Sequence, residues 1–95
     1  GAAALQEAYE EAGVVGQVNE TPLGMYSYIK SLSDGRALPC VGVVYAVNVD
    51  AMKGHFPEEG ERRLKWFSRK KAARKVEEPE LARIIRDFDP VQGLA

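Results

Sequence analysis

An alternating apolar run from Cys40 to Val49 is the feature that most constrains the fold of this chain. Ser33 to Arg36, just upstream, contains the polar and glycine residues of a tight turn, and Met25 to Leu32 before it has the composition of a strand. The pattern predicts a β-hairpin in which Cys40 to Val49 is the return strand. A period of two places five of its side chains on one face, namely Val41, Val43, Tyr45, Val47 and Val49.

The beginning of the chain has a helical pattern instead. Residues 2–12 are mostly good helix formers, and their larger apolar side chains recur at the spacing of one helical face. Gly13 stands where a left-handed cap would end the helix, and the valines from Val14 onward favour extended chain. We therefore expect a helix up to Ala12 and a strand that begins near Val14.

The C-terminal third is expected to be mainly helical. Leu64 to Phe67 is predicted as a short final strand whose aromatic side chains enter the core. Ser68 is a suitable cap for a helix over Arg69 to Val76, and Pro79 suits the first turn of another helix. A helix, three or four strands and two helices predict an α+β fold, with helices packed on a mixed β-sheet.

Length and composition narrow the class of protein. Ninety-five residues suffice for one domain, and 45% hydrophobic with 28% charged residues is ordinary for a globular protein. The longest apolar stretch is far shorter than the roughly 20 residues of a membrane helix. Cys40 is alone, so it has no partner for an internal disulfide, and we expect an inert core thiol. With no leader-like segment evident, a soluble cytoplasmic protein without a membrane partner is expected.

Charge is distributed unevenly about a net value of −1. The first fifty residues carry an excess of acids, whereas bases concentrate between Arg62 and Lys75. This basic segment is suited to binding phosphate groups, although the bases from Arg69 to Lys75 are more simply explained as the solvated face of a helix. Nucleic acid is disfavoured as a partner, because the overall charge is slightly negative and Trp66 and Phe67 are expected in the core.

Three glutamates form an acidic cluster on the first predicted helix. Glu7, Glu10 and Glu11 lie at i, i+3 and i+4 and so share one helical face, and Lys30 is the first basic residue after them. Carboxylate oxygens suit hard divalent cations such as Mg²⁺ or Mn²⁺, which also bridge to phosphates. Spacing alone favours a simpler interpretation, in which the cluster is a solvated helix face.

The segment Gln6 to Val14 resembles the second half of the signature of the Nudix hydrolases, which reads Arg-Glu-apolar-any-Glu-Glu-any-Gly-apolar. Eight of its nine positions fit, and Gln6 stands where the family has arginine. The chain through Leu38 to Cys40, Lys65 to Ser68 and the helical tail is also similar to this family, particularly to members related to the diphosphoinositol polyphosphate phosphohydrolases. The first half of the signature would fall before Gly1. The resemblance implies one partial Nudix domain over residues 1–95, with a mixed sheet that lacks its N-terminal strands.

The resemblance also implies an activity. Nudix enzymes cleave a diphosphate linked to a further group, by attack of water with divalent cations bound to the glutamates of the signature. On this basis the substrate is a nucleoside diphosphate derivative, a diphosphoinositol polyphosphate or a dinucleoside polyphosphate, with Mg²⁺ or Mn²⁺ as cofactor. The implied metal ligands are Glu7, Glu11 and Glu10, with Glu10 also the candidate catalytic base; Glu58, Glu59 and Glu61 are alternative bases, and Arg62 and Arg63 are the candidate phosphate-binding residues.

Two alternatives stay open beside hydrolysis. Gln6 is consistent with a relaxed, non-catalytic Nudix-like module that binds polyphosphate or a protein partner. An unpaired sheet edge would instead favour self-association, for example as a homodimer. His55 is expected to be an ordinary loop residue, and Tyr26 and Tyr28, on one face of a strand, either line a pocket or pack.

Overall fold

A computed structural model of the chain describes residues 1–90. Over these residues the elements, in order, are α1 (Ala2–Ala12), β1 (Val14–Val18), β2 (Gly24–Ser31), β3 (Ala37–Val44), β4 (Val47–Met52), α2 (Arg69–Lys75) and α3 (Pro79–Arg86). The predicted α+β class is confirmed. The strands form two separate antiparallel pairs, β1 with β4 and β2 with β3, where a single mixed sheet was expected.

The first of two compact units contains α1, β1, β4 and the loop that follows β4. α1 ends where predicted, because Gly13 adopts φ 71° and its N–H donates to the Tyr9 carbonyl at 2.8 Å. β1 then pairs with β4 from Val14 opposite Met52 to Val18 opposite Val47, with an irregularity between Val15 and Gly16. The sequence prediction of a strand from Val14 is thus confirmed.

The second unit contains β2, β3, α2 and α3. The predicted hairpin is present, with Gly24 opposite Val44 and Ser31 opposite Ala37. Both C-terminal helices are present as well. The backbone N–H of Lys71 donates to the Ser68 hydroxyl at 3.2 Å, which confirms the predicted cap of α2, and proline occupies the first turn of α3.

The return strand is shorter than predicted, because the chain leaves the first pairing at Tyr45 and Ala46. The Val44 carbonyl accepts from the Leu23 N–H in the second unit, whereas the Ala46 carbonyl accepts from the Asn19 N–H in the first. The valines of the run therefore lie in two different sheets. Val41 and Val43 are exposed and Val47 is half-buried, so the expected single apolar face was wrong.

The predicted final strand at Leu64 to Phe67 is absent, and this segment is irregular. Trp66 is 75% exposed and Phe67 38% exposed, so neither lies in a core as expected. Cys40 is only half-buried, against the expectation of a core thiol. The Nζ atoms of Lys71 and Lys75 lie 5.9 Å and 5.5 Å from the centroid of the Phe67 ring, within the range of a cation–π interaction.

Buried apolar side chains are few in the part of the chain that the structure describes. Ala46 and Ala73 are the buried hydrophobic residues among positions 1–90. No helix within the same range has the length and apolar character needed to cross a membrane.

Candidate functional site

The acidic cluster lies on α1, but its three members differ in exposure. Glu7 is exposed, while Glu10 and Glu11, one turn later, are half-buried. Glu10 and Glu11 precede the point where Gly13 ends the helix, and there the last carbonyl groups of a helix have no partner within the helix. Groups outside the helix can therefore bind this end.

The loop after β4 supplies those groups. The Lys53 N–H donates to the Gly13 carbonyl and the Glu58 N–H donates to the Glu10 carbonyl, both at 2.8 Å. Gly13 is needed for this close approach, since a Cβ there would lie 2.5 Å from the Lys53 carbonyl oxygen. The two bonds hold Glu58, one of the three alternative bases, beside the end of α1 that carries Glu10 and Glu11.

Arg62 joins the same group of side chains. Its Nη2 lies 2.8 Å from Oε1 of Glu11 and 3.5 Å from Oε1 of Glu58. The Arg62 side chain is 54% exposed, that of Glu11 40% and that of Glu58 34%, so water reaches the ion pairs. We call this group, Glu11, Glu58 and Arg62, the carboxylate–guanidinium cluster. Its guanidinium compensates charge on a helix that has no basic residue of its own.

Gln6 acts on a different carboxylate. Its Nε2 donates to Oε1 of Glu10 at 3.3 Å, across one turn of α1. An amide at the position where the family has arginine therefore donates a hydrogen bond to a glutamate of the acidic cluster, but it adds no positive charge. The positive charge near these carboxylates comes from Arg62, distant in sequence.

Other predicted site residues stay outside these contacts. Glu7, Glu61 and Arg63 are exposed, and their side chains form no hydrogen bond or ion pair with residues 1–90. Glu59 turns to His55, whose Nδ1 lies 3.2 Å from Oε2 of Glu59. Sequence reasoning missed this contact, although the i, i+4 spacing of a histidine and a glutamate was a visible signal.

The two carboxylates of the carboxylate–guanidinium cluster have the donor chemistry of a divalent cation site. No set of three His, Cys, Asp or Glu side chains comes together for a metal within residues 1–90. Glu11 and Glu58, however, already flank one positive group, the guanidinium of Arg62. Mg²⁺ is usually held by one or two carboxylates together with waters and substrate phosphates. The residues therefore fit a cation held by two carboxylates, and not a cage of three protein ligands.

A shallow apolar cavity of about 250 Å³ lies near the end of α1. Its wall includes Ala12, which follows Glu11, and the exposed Trp66. Sequence reasoning missed this cavity because Trp66 was expected in a core. The remaining lining residues are Val14, Met52, Leu64 and Lys65.

Two curated proteins of Arabidopsis thaliana are similar to this chain. The chain is 35% identical over 75 residues to Nudix hydrolase 13, mitochondrial, a match that covers 74% of this chain and 37% of the relative. It is 30% identical over 89 residues to Nudix hydrolase 12, mitochondrial, covering 90% of this chain and 44% of that relative. The two relatives support the Nudix hydrolase family for this chain. The chain spans roughly two fifths of the length of these curated relatives.

The Nudix resemblance of Gln6 to Val14 thus agrees with similarity to two Nudix proteins over 74% and 90% of the chain. Neither name specifies a diphosphoinositol substrate, so that narrower part of the prediction is not supported by the relatives. Both names include "mitochondrial", a statement about those two proteins. No family model and no solved structure matches the chain.

Proposed function

We propose that this chain is part of a metal-dependent Nudix hydrolase that cleaves a diphosphate linkage. The observation that carries the proposal is that Arg62 contacts both Glu58 and Glu11, the latter within the segment that resembles the Nudix signature. Similarity to two curated Nudix hydrolases supports the same reaction class. The proposed substrates are nucleoside diphosphate derivatives, diphosphoinositol polyphosphates and dinucleoside polyphosphates.

Each side chain has a proposed role. Glu11 is the proposed ligand of Mg²⁺ or Mn²⁺, together with Glu7 on the same helix, as the resemblance implies, or with Glu58 from the loop, which shares Arg62 with Glu11. When bound, the ion would neutralise phosphate oxygens and lower the pKa of bound water. Glu10 either adds a ligand or takes the proton of the attacking water, with Gln6 orienting its carboxylate at 3.3 Å. Among the alternative bases Glu58 has the strongest support, since its backbone is bonded to α1, while Glu59 faces His55 and Glu61 has no side-chain partner in the described chain.

Arg62 and Arg63 are the proposed phosphate-binding residues. A guanidinium donates paired hydrogen bonds to phosphate oxygens, and both side chains are exposed enough to reach a ligand. Arg63 has no ion pair to break with residues 1–90, whereas Arg62 must first leave two carboxylates. Before a phosphate binds, the Arg62 guanidinium is therefore held by two carboxylates, whereas that of Arg63 is open to the ligand.

A direct test is phosphorus NMR of the substrate panel incubated with the chain and Mg²⁺ or Mn²⁺, then with chelator. We expect resonances of bridging phosphates to be replaced by those of new terminal phosphate groups only while metal is free. Cleavage that continues in chelator would contradict metal dependence, and no cleavage of any bound compound would contradict hydrolysis by this chain.

The alternative, a non-catalytic module that binds polyphosphate or a protein, draws support from the neutral Gln6. Chelator-independent ligand binding without turnover would favour it. A single domain over residues 1–95, a homodimer and a cytoplasmic location also stay predictions.

A further inference from the structure

We propose that Arg62 is a built-in counter-ion that competes with the divalent cation for Glu11 and Glu58. This inference rests on the proposed function, because it assigns Glu11 to the metal, and it takes Glu58 as the second metal ligand rather than as the base. It adds that the metal-free site is closed by the protein's own guanidinium, which has to leave before the two carboxylates can bind a cation together.

The charges around Glu11 support this competition. α1 contains no Lys or Arg, and Gln6 contributes a hydrogen bond but no charge. Among the described residues, Arg62 is the cation within salt-bridge distance of Glu11. A divalent cation on the same carboxylate oxygens would meet this guanidinium as a like charge, so both cannot occupy the pair at once.

The contacts of the Arg62 guanidinium also support the competition. One nitrogen, Nη2 of Arg62, contacts both carboxylates, at 2.8 Å to Glu11 and 3.5 Å to Glu58. One movement of the side chain therefore frees both oxygens. With Arg62 54% exposed, solvent is available to receive the group, and exposed ion pairs of this kind contribute little free energy.

The proposal also reconciles two assignments of Arg62. The sequence suggests phosphate binding, whereas the structure shows the guanidinium on carboxylates. A substrate phosphate arriving with the metal offers the displaced guanidinium a new anion close to the old ones. Arg62 then acts first as a positioning residue for Glu11 and Glu58, and afterwards as a phosphate ligand.

The experiment is calorimetric titration of Mn²⁺ alone into the wild-type chain, Arg62→Gln and Arg63→Gln. The two variants remove the same charge from adjacent positions, but the Arg63 variant breaks no ion pair with residues 1–90. We expect Arg62→Gln to bind Mn²⁺ about two- to fivefold more tightly than Arg63→Gln, in proportion to the modest strength of an exposed pair. Equal affinities in the two variants, weaker binding by Arg62→Gln, or no binding by any of the three proteins would overturn the proposal.

A second measurement covers the case in which Arg62→Gln does not fold. In the wild-type chain, the Arg62 side-chain Nε resonance should move on addition of Mg²⁺, with the same midpoint as the Glu11 amide resonance, while the Arg63 Nε resonance stays in place. A stationary Arg62 resonance during a Glu11 shift would refute the competition.

Hydrolysis is scored separately from these titrations. Tighter Mn²⁺ binding by Arg62→Gln in a chain that cleaves no diphosphate would support the competition and reject the proposed function. Metal-dependent cleavage with equal Mn²⁺ affinities in the two arginine variants would support the function and reject the competition.

Discussion

The main-chain N–H of Glu58 donates to the carbonyl oxygen of Glu10 at 2.8 Å. This bond satisfies a carbonyl at the C-terminal end of α1 that has no partner within the helix. It also brings a loop from beyond β4 to the segment that resembles the Nudix signature. This backbone contact places Glu58 at the candidate site, where Arg62 contacts both Glu58 and Glu11.

Replacing Glu11 by Gln should lower metal-dependent hydrolysis by about 100-fold, because a metal ligand matters at least as much as the residues that orient metal ligands, whose loss costs about 10–100-fold. Stability should change by less than about 1 kcal/mol, since the Arg62 pair is half exposed. Rates by phosphorus NMR and urea unfolding check both expectations. Asp50→Asn, at an exposed position on β4, is the control for loss of a carboxylate. An undiminished rate in Glu11→Gln would show that Glu11 is not a metal ligand.

Gln6→Arg should convert the 3.3 Å amide contact with Glu10 into an ion pair. We expect the free energy of unfolding to rise by about 0.2–0.5 kcal/mol at low salt. The gain should vanish near 1 M salt, where the screening length is about 3 Å. Gln17→Arg, at an exposed position on β1 without a side-chain hydrogen bond in the described chain, adds the same charge as a control. A gain of equal size in both variants would mean that the Glu10 contact is not responsible.

Gly13→Ala should destabilise the chain more than Gly35→Ala. Both glycines have positive φ, 71° and 86°, so both variants incur a backbone cost of about 1–2 kcal/mol. At Gly13 the new Cβ would also lie 2.5 Å from the Lys53 carbonyl oxygen, whereas at Gly35 nothing lies within 4 Å. We expect a difference of at least about 1 kcal/mol in urea unfolding. Equal losses would show that the loop moves away freely from α1.

Ser68→Ala should cost about 1 kcal/mol, since the hydroxyl accepts the Lys71 N–H at the start of α2. Ser68→Asp keeps an acceptor and should retain most of the stability. Amide hydrogen exchange at Lys71, with urea unfolding, measures the effect. Fast exchange at Lys71 in all three proteins would indicate that the cap contributes little.

The sequence predicted elements better than it predicted their pairing. The helix that ends at Gly13, the hairpin turn at residues 33–36 and the Ser68 cap each depend on neighbouring residues, and all three are present. The run Cys40 to Val49 was predicted as one strand, yet its hydrogen bonds divide at Tyr45 and Ala46 between two sheets. A period of two continues across such a break and therefore does not reveal it.

In the candidate site, likewise, neighbours within one helix could be predicted from the sequence, whereas contacts between the helix and the loop could not. The sequence by itself determined that Glu7, Glu10 and Glu11 share a helix and that Gln6 lies one turn from Glu10, because helical spacing fixes these neighbours. Only the tertiary structure decided that Arg62 contacts both Glu11 and Glu58 and that Glu59 turns to His55. The physical reason is that the loop is positioned by main-chain hydrogen bonds to the end of α1. Every residue except proline carries the donor and acceptor for such bonds, so residue identity does not mark where they form.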